Sequence, residues 1–256
     1  MRPNTAKNLL KAGKPAIGTW MNFASVGAAE VMAHTGWDWI VVDLEHGAID
    51  LETMTSMFIA IGTTNTIPMC RVPWNDPMEI KRVLDAGSYG IVVPMVNSAE
   101  EARAAVAAAK YPPVGIRSAG GGRWRYWAGP DYTEHANDEI LVVVQIEHID
   151  AVRNVREILS VPGVDACFIG PNDLAWSMDL QFAKGEARKA HEEAIQEVLR
   201  GAREVGVPAG IHARSKEEVV ERIKQGFQYI ACLNEGHFMF DGSEQAVKFI
   251  RQNAQL

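Results

Sequence analysis

Residues 39–47 read WIVVDLEHG and residues 141–147 read LVVVQIE. Each opens as an unbroken apolar run and closes on charged side chains. A strand with one wet face alternates apolar and polar residues. These do not, so both of their faces are buried, as in a parallel sheet covered by helices. Comparable runs lie at 16–21, 39–44, 67–72, 90–95, 141–146, 165–169, 208–212 and 228–233. Between them lie helical, Ala- and Glu-rich stretches at 24–34, 50–62, 77–86, 99–109, 151–159, 186–205 and 217–226. Two carry start signals. Ser98 stands three residues before Glu101, in capping-box spacing, and Asp76 precedes Pro77, an N-cap followed by proline at the first helical position. Eight strands alternating with helices predict a (β/α)8 TIM barrel rather than an open doubly wound sheet. No Pro/Ser-rich linker or charge block divides the chain, so the reading is one barrel domain over 1–256.

Composition narrows the function. Lys and Arg number 25 against 32 Asp and Glu, a net charge of −7, and no extended basic patch is visible. Nucleic-acid and anionic-membrane roles are therefore disfavoured. No apolar run reaches the roughly 18 residues of a membrane span, and the N-terminal MRPNTAKNLLKAGK lacks the form of a signal peptide. Cys70, Cys167 and Cys232 are far apart and form no CxxC pair, which argues against a secreted disulfide scaffold. The expectation is a cytoplasmic enzyme. Walker and GxGxxG motifs are missing from the sequence, which disfavours nucleotides. One connection, 111–139, is long and contains GIRSAGGGRWRYWAGPDY at 115–132. Loops of that length are commonly functional or contact a neighbour, and its Trp and Tyr residues argue against full exposure.

Catalytic groups of such barrels stand where strands end at the C-terminal face. Strand two ends in Asp43-Leu44-Glu45-His46-Gly47, strand three in Arg71, strand five in Gln145-Ile146-Glu147, strand six in Gly170-Pro171-Asn172-Asp173, and strand seven in His212. Glu147 and Asp173 end consecutive strands, so their side chains meet across adjacent tips. Two carboxylates that close repel unless a proton or a cation sits between them. A hard divalent ion, completed by water or substrate oxygens, fits such a pair. His46 is a tunable acid/base, with Asp43 and Asp85 as alternative carboxylate partners. Arg71, at a buried strand end, needs a carboxylate partner or an anionic substrate. The turn at 170–174 predicts a helix start whose Asn172 and Asp173 amides face the rim, where they bind carboxylate or phosphate. No lysine ends any predicted strand, which disfavours a Schiff-base mechanism.

These residues carry a resemblance. KAGKPAIGTW (11–20), GWDW (36–39), VVDLEHG (41–47), RVPWNDP (71–77), KRVLDAG (81–87), VVPMV (92–96), YPPVGIR (111–117), VQIE (144–147), VDACFIGPNDL (164–174) and AGIHA (209–213) span nearly the whole chain. In that order and spacing the chain resembles the HpcH/HpaI family of metal-dependent (class II) 2-oxo acid aldolases, in its 4-hydroxy-2-oxoheptanedioate aldolase branch. The resemblance implies Mg²⁺, Mn²⁺ or Co²⁺ on Glu147 and Asp173, chelated by the carboxylate and keto oxygens of pyruvate. It implies that amides around 170–173, with Gly170 and Asn172, hold the carboxylate, that Arg71 stabilises the enolate oxygen, and that Gln145 supports the site. His46, paired in the family with an aspartate matching Asp85, would handle protons with a metal-bound water. Trp20 and His212 are counted with the substrate-binding residues. It further implies a homo-oligomer, a hexamer built as a trimer of dimers, with sites completed by neighbouring subunits; Arg117, Arg123 and Trp124 of the long loop are candidates for that contribution. His212, where the nearest aldolases carry an apolar side chain, and segment 118–129 depart from the pattern, and both are expected to face the acceptor aldehyde. The expected activity is reversible cleavage of 4-hydroxy-2-oxo acids to pyruvate, or a related 2-oxo acid such as hydroxypyruvate, and an aldehyde. An oxaloacetate decarboxylase or another lyase on the same metal enolate is the alternative, and a non-catalytic 2-oxo acid binder is the third reading.

Overall fold

A computed structural model of the chain describes residues 1–182 and 184–254, with the side chains at 186 and 187 outside the description. Among the described residues, eight parallel strands close into a barrel in sequence order: β1 (Ala16–Met21), β2 (Trp39–Asp43), β3 (Ile67–Arg71), β4 (Gly90–Val93), β5 (Leu141–Ile146), β6 (Ala166–Ile169), β7 (Ala209–Ala213) and β8 (Tyr229–Asn234). The helices are α1 (Thr5–Lys11), α2 (Val26–Ala33), α3 (Leu51–Ile61), α4 (Pro77–Asp85), α5 (Ala99–Ala109), α6 (Trp124–Trp127), α7 (Tyr132–Glu139), α8 (Ile149–Arg153), α9 (Val155–Leu159), α10 (Pro171–Ser177), α11 (Glu186–Val205), α12 (Lys216–Gln225) and α13 (Glu235–Asn253). This is the (β/α)8 barrel that the apolar runs predict. Every residue of β2, β3, β5 and β6 is buried. The start signals work as read. Ser98 and Glu101 form a reciprocal capping box, and Asp76 caps α4 ahead of Pro77.

Register decides what meets at the rim. In the β2–β3 pairing Asp43 stands opposite Arg71, at the last position of both strands. In the β5–β6 pairing Gln145 faces Phe168 and Ile146 faces Ile169, which leaves Glu147 beside Gly170 just beyond the ladder. The wall of the barrel is tight at Gly18. A Cβ there would lie 2.1 Å from the Trp39 ring, which is stacked on Tyr229 with centroids 4.2 Å apart.

The long connection carries α6 and α7 and folds against the N-terminal end of the barrel, away from the rim, so within the chain segment 118–129 does not face the acceptor aldehyde as the sequence leads one to expect. Arg117 is buried, donating to Asp85 at 2.8 Å and to the Tyr132 hydroxyl at 2.9 Å. Trp124 stacks on Tyr132, centroids 4.6 Å apart, while Tyr126 is exposed. The sequence pattern does not foreshadow α1 or α13. α13 interrupts its apolar positions with Gly236, Asp241 and Gly242, and most of its length is exposed, Phe238, Phe240 and Phe249 included. No helix among the described residues is long and apolar enough to cross a membrane.

Gly18→Ala is expected to destabilise the barrel by about 1–3 kcal/mol, the usual cost of overpacking a filled core. Urea unfolding checks this; an unchanged midpoint would show that the Trp39–Tyr229 stack yields freely.

Candidate active site

The rim is built outward from Asp43. Its carboxylate is fully buried and accepts from Arg71 twice, Nε at 2.8 Å and Nη2 at 2.6 Å. It also accepts from Asn22 Nδ2 at 2.8 Å and from the backbone N–H groups of Glu45 at 3.1 Å and His46 at 3.4 Å. Asn22 is itself held. Its backbone N–H donates to buried Glu235 at 2.7 Å, and its side-chain oxygen accepts from Asn234 at 3.1 Å. The third nitrogen of Arg71, Nη1, lies 2.8 Å from Glu45 Oε2. The guanidinium also sits over the Trp20 ring, 4.5 Å from its centroid. Burial works against the charge of Arg71, but the hydrogen bonds and charge of Asp43, then Glu45 and Glu147, outweigh it and hold the group above its ordinary value. Arg71 is thus a permanent cation with fixed orientation.

Across the rim stands Glu147, almost fully buried. Oε1 accepts the Met95 N–H at 2.9 Å, and Oε2 accepts from Gln145 Nε2. Met95 reaches this carboxylate from a left-handed backbone conformation, φ 52°, uncommon for a side-chain-bearing residue. Burial pushes the Glu147 carboxyl up to about 7, and the charges of Asp173 and Glu45 add to the rise against the Met95 hydrogen bond and Arg71. A cation beside it relieves that cost. Gly170 leaves the room: a Cβ there would lie 2.5 Å from Glu147 Oε2 and 3.0 Å from Gln145 Nε2. Gln145 Oε1 is buried with no hydrogen-bond partner. The donors at this end are carboxylate and amide oxygens, the set a hard divalent ion prefers. No group of three or more His, Cys, Asp or Glu among the described residues is placed to hold a metal, so an ion on Glu147 and Asp173 would complete its shell with other oxygens, such as Gln145 Oε1, water or substrate. The residues fit the metal that the sequence implies on those terms.

One cleft of ≈ 250 Å³ is lined by Trp20, Asn22, Asp43, His46, Arg71, Gln145, Phe168, Gly170, Pro171, Asn172, Asp173, His212, Arg214, Asn234 and His237. Glu147 lies behind Gln145 and Gly170. α10 begins at Gly170 without a side-chain cap and carries proline at its first position, so the Asn172 and Asp173 amides stand at an open helix start. His46 projects from the loop after β2, its side chain 63% exposed and Nε2 3.9 Å from Glu45 Oε1.

Two expectations need correction. Asp85 is not beside His46 within the chain. α4 starts at the rim and runs back, so its last residue, Asp85, reaches the opposite end of the barrel, where it pairs with Arg117. Asp43, the other proposed partner of His46, is committed to Arg71. Sequence reasoning also passed over Glu45, the second carboxylate on Arg71, and Asn22 behind Asp43. The 43/45 spacing was the available signal, since alternate residues leave a strand on one side.

The comparisons agree with this geometry. Residues 16–240 match the HpcH/HpaI aldolase/citrate lyase family. The chain belongs to that family. It is 39% identical over 233 residues to a 4-hydroxy-2-oxo-heptane-1,7-dioate aldolase of Shigella flexneri, covering 89% of this chain and 86% of that protein. A Klebsiella pneumoniae protein of the same name is 37% identical over 256 residues, covering 98% and 95%. An HpcH/HpaI aldolase/citrate lyase family protein from Burkholderia cenocepacia superposes with a TM-score of 0.91 at 31% identity, covering 97% of this chain and 99% of that one. The citrate lyase beta subunit of M. tuberculosis, complexed with oxaloacetate and magnesium, shares the fold at a TM-score of 0.59 and 15% identity, over 89% and 95% of the two chains. This HpcH/HpaI-family chain is a carbon–carbon lyase of the aldolase/citrate lyase type.

The Glu147 environment sets a pH dependence in protein stripped of divalent cations. Its folded pKa lies above the ordinary carboxylate value. The protonated form therefore contributes stability that is fully present below the unfolded pKa and is lost as pH rises through about 7. The melting temperature of stripped protein is expected to fall between about pH 5 and about pH 8, and Glu147→Gln to flatten that fall. Equal slopes in the two proteins would contradict the assignment.

Proposed function

We propose that the chain is a divalent-metal-dependent aldolase, reversibly cleaving 4-hydroxy-2-oxo acids to pyruvate, or a related 2-oxo acid such as hydroxypyruvate, and an aldehyde. The observation that carries this reading is a fixed cation, Arg71, sharing one cleft with Asp173 and Gln145, with the buried Glu147 carboxylate held behind Gln145 and no lysine among the described residues that line the cleft. Schiff-base chemistry lacks its amine there. The curated relatives' names support the substrate class, and the magnesium and oxaloacetate of the M. tuberculosis protein support a divalent ion with a 2-oxo acid.

In this reading Glu147 and Asp173 hold Mg²⁺, Mn²⁺ or Co²⁺, with Gln145 against Glu147. When bound, the metal supplies Lewis acidity toward the keto oxygen of the 2-oxo acid. The open amides of Asn172 and Asp173, beside Gly170, bind the substrate carboxylate. Cleavage breaks the C3–C4 bond, and its electron pair passes to C3 and onward to the keto oxygen. Arg71 donates to that oxygen as negative charge accumulates. Asp43 and Glu45 keep the guanidinium aimed, so little reorganisation is needed when the charge develops. His46, beside Glu45 at the open side of the cleft, takes the C4 hydroxyl proton as the aldehyde forms, and a proton from that imidazolium or from solvent is delivered to C3 of the enolate to complete pyruvate; the reverse direction runs the same transfers backwards. Trp20 lies against Arg71 and walls the cleft. The assembly proposed is a hexamer, a trimer of dimers, in the cytoplasm; exposed Phe238, Phe240 and Phe249 on α13 support self-association.

Exhaustive chelation is expected to abolish condensation of pyruvate with aldehydes, and Mn²⁺, Co²⁺ or Mg²⁺ to restore it. Full activity in the stripped protein would refute metal dependence. Release of CO₂ from oxaloacetate without any aldehyde condensation would favour a decarboxylase instead.

A further inference from the structure

Beyond Trp20, the cleft has a wall that the donor chemistry above does not use. His212 lies on β7 with its ring centroid 5.8 Å from that of Trp20 and 6.4 Å from that of Phe168. The two aromatic rings fix the imidazole from two sides. Around it stand Arg214, Asn234 and His237. Asn234 is already engaged, with His237 Nδ1 at 2.8 Å and with Asn22 at 3.1 Å. Arg214 is largely exposed and leans toward Glu218, 3.8 Å away. Among the described residues no hydrogen-bond partner reaches either ring nitrogen of His212. An oriented imidazole with its nitrogens left over lines the cleft.

Resting on the aldolase reading, we propose that His212 is the specificity-determining residue of the acceptor end, hydrogen-bonding the hydroxyl of a short hydroxyaldehyde. A neutral imidazole offers one donor and one acceptor, and a hydroxyl group also does both, so the two are matched. Burial, then the positive charges of Arg71 and His237, push the His212 pKa down to about 4, so the ring is neutral at physiological pH. It therefore offers a carboxylate no countercharge. The cleft encloses ≈ 250 Å³ and opens to solvent, and a 2-oxo acid with a short hydroxyaldehyde fits within it.

The test uses an isosteric pair, glycolaldehyde and propionaldehyde, which differ by hydroxyl against methyl. Both are condensed with pyruvate by the metal-loaded wild type, by His212→Leu and by His212→Gln. The wild type is expected to favour glycolaldehyde in kcat/KM. His212→Leu should lower the glycolaldehyde-to-propionaldehyde ratio about 3- to 10-fold, the effect of one neutral hydrogen bond. His212→Gln, which keeps a donor and an acceptor near the Nε2 position, should recover most of the ratio. Because each ratio is taken on one preparation, loss of folded protein cancels. An unchanged ratio in His212→Leu, or the same fall in His212→Gln, overturns the proposal. So does a larger loss with succinic semialdehyde than with glycolaldehyde, which would mark a carboxylate subsite. Methyl-proton exchange of pyruvate in D₂O by the wild type separates the levels. If it is absent, the aldolase reading fails and this inference with it; if it is present while the ratio stays flat, this inference alone fails.

Discussion

The pair between Arg71 and Asp43 is the constraint on which the site depends. Neither group gains much by being there, because bringing a guanidinium and a carboxylate out of water costs several kcal/mol per ion. Apolar residues of equal volume would serve the fold as well or better. What the pair supplies is a cation that does not move. Its hydrogen bonds run on through Asn22 to Asn234 and Glu235, so the ends of β8, β1, β2 and β3 are tied by one line of polar contacts around half the rim. Removing Asp43 would strand both a buried guanidinium and that line.

From this follows the polarity of the cleft. On one side a fixed cation is sandwiched by acids. On the other a buried carboxyl, Glu147, is left short of positive charge, and its raised pKa records the shortage. A substrate that brings in a keto oxygen able to become anionic, together with a divalent cation, satisfies both sides at once. The wall of Trp20 and Phe168 is aromatic, with the Trp20 face already taken by Arg71, so discrimination there falls to the polar atoms left on it, the imidazole nitrogens of His212 and the unpartnered indole N–H of Trp20.

The barrel was legible because parallel strands buried on both faces leave an unmistakable apolar run, and IVVD and LVVVQI contain one each. The residues just past those runs were legible for the same reason: a charged side chain directly after a fully buried strand stands at a rim. What failed needed three dimensions. Asp85 ends an amphipathic helix that returns to the far end of the barrel, and no spacing in sequence says at which end a helix terminus lies unless the strand before it is counted through. Glu45 was hidden beside the more conspicuous His46. α13 was missed because glycines and an aspartate break its apolar stripe, and nothing among the described residues packs against most of it.

The central claim is that Arg71, aimed by Asp43 and Glu45, stabilises the enolate oxygen. Exchange of pyruvate methyl protons with D₂O passes through that enolate without needing an aldehyde, so it isolates the claim. NMR of metal-loaded Arg71→Ala beside wild type is the direct measurement. The account predicts that exchange falls by about 10²–10³-fold or more, the scale of losing a preorganised donor to a developing oxyanion. Exchange at the wild-type rate in a folded, metal-loaded Arg71→Ala protein would contradict it.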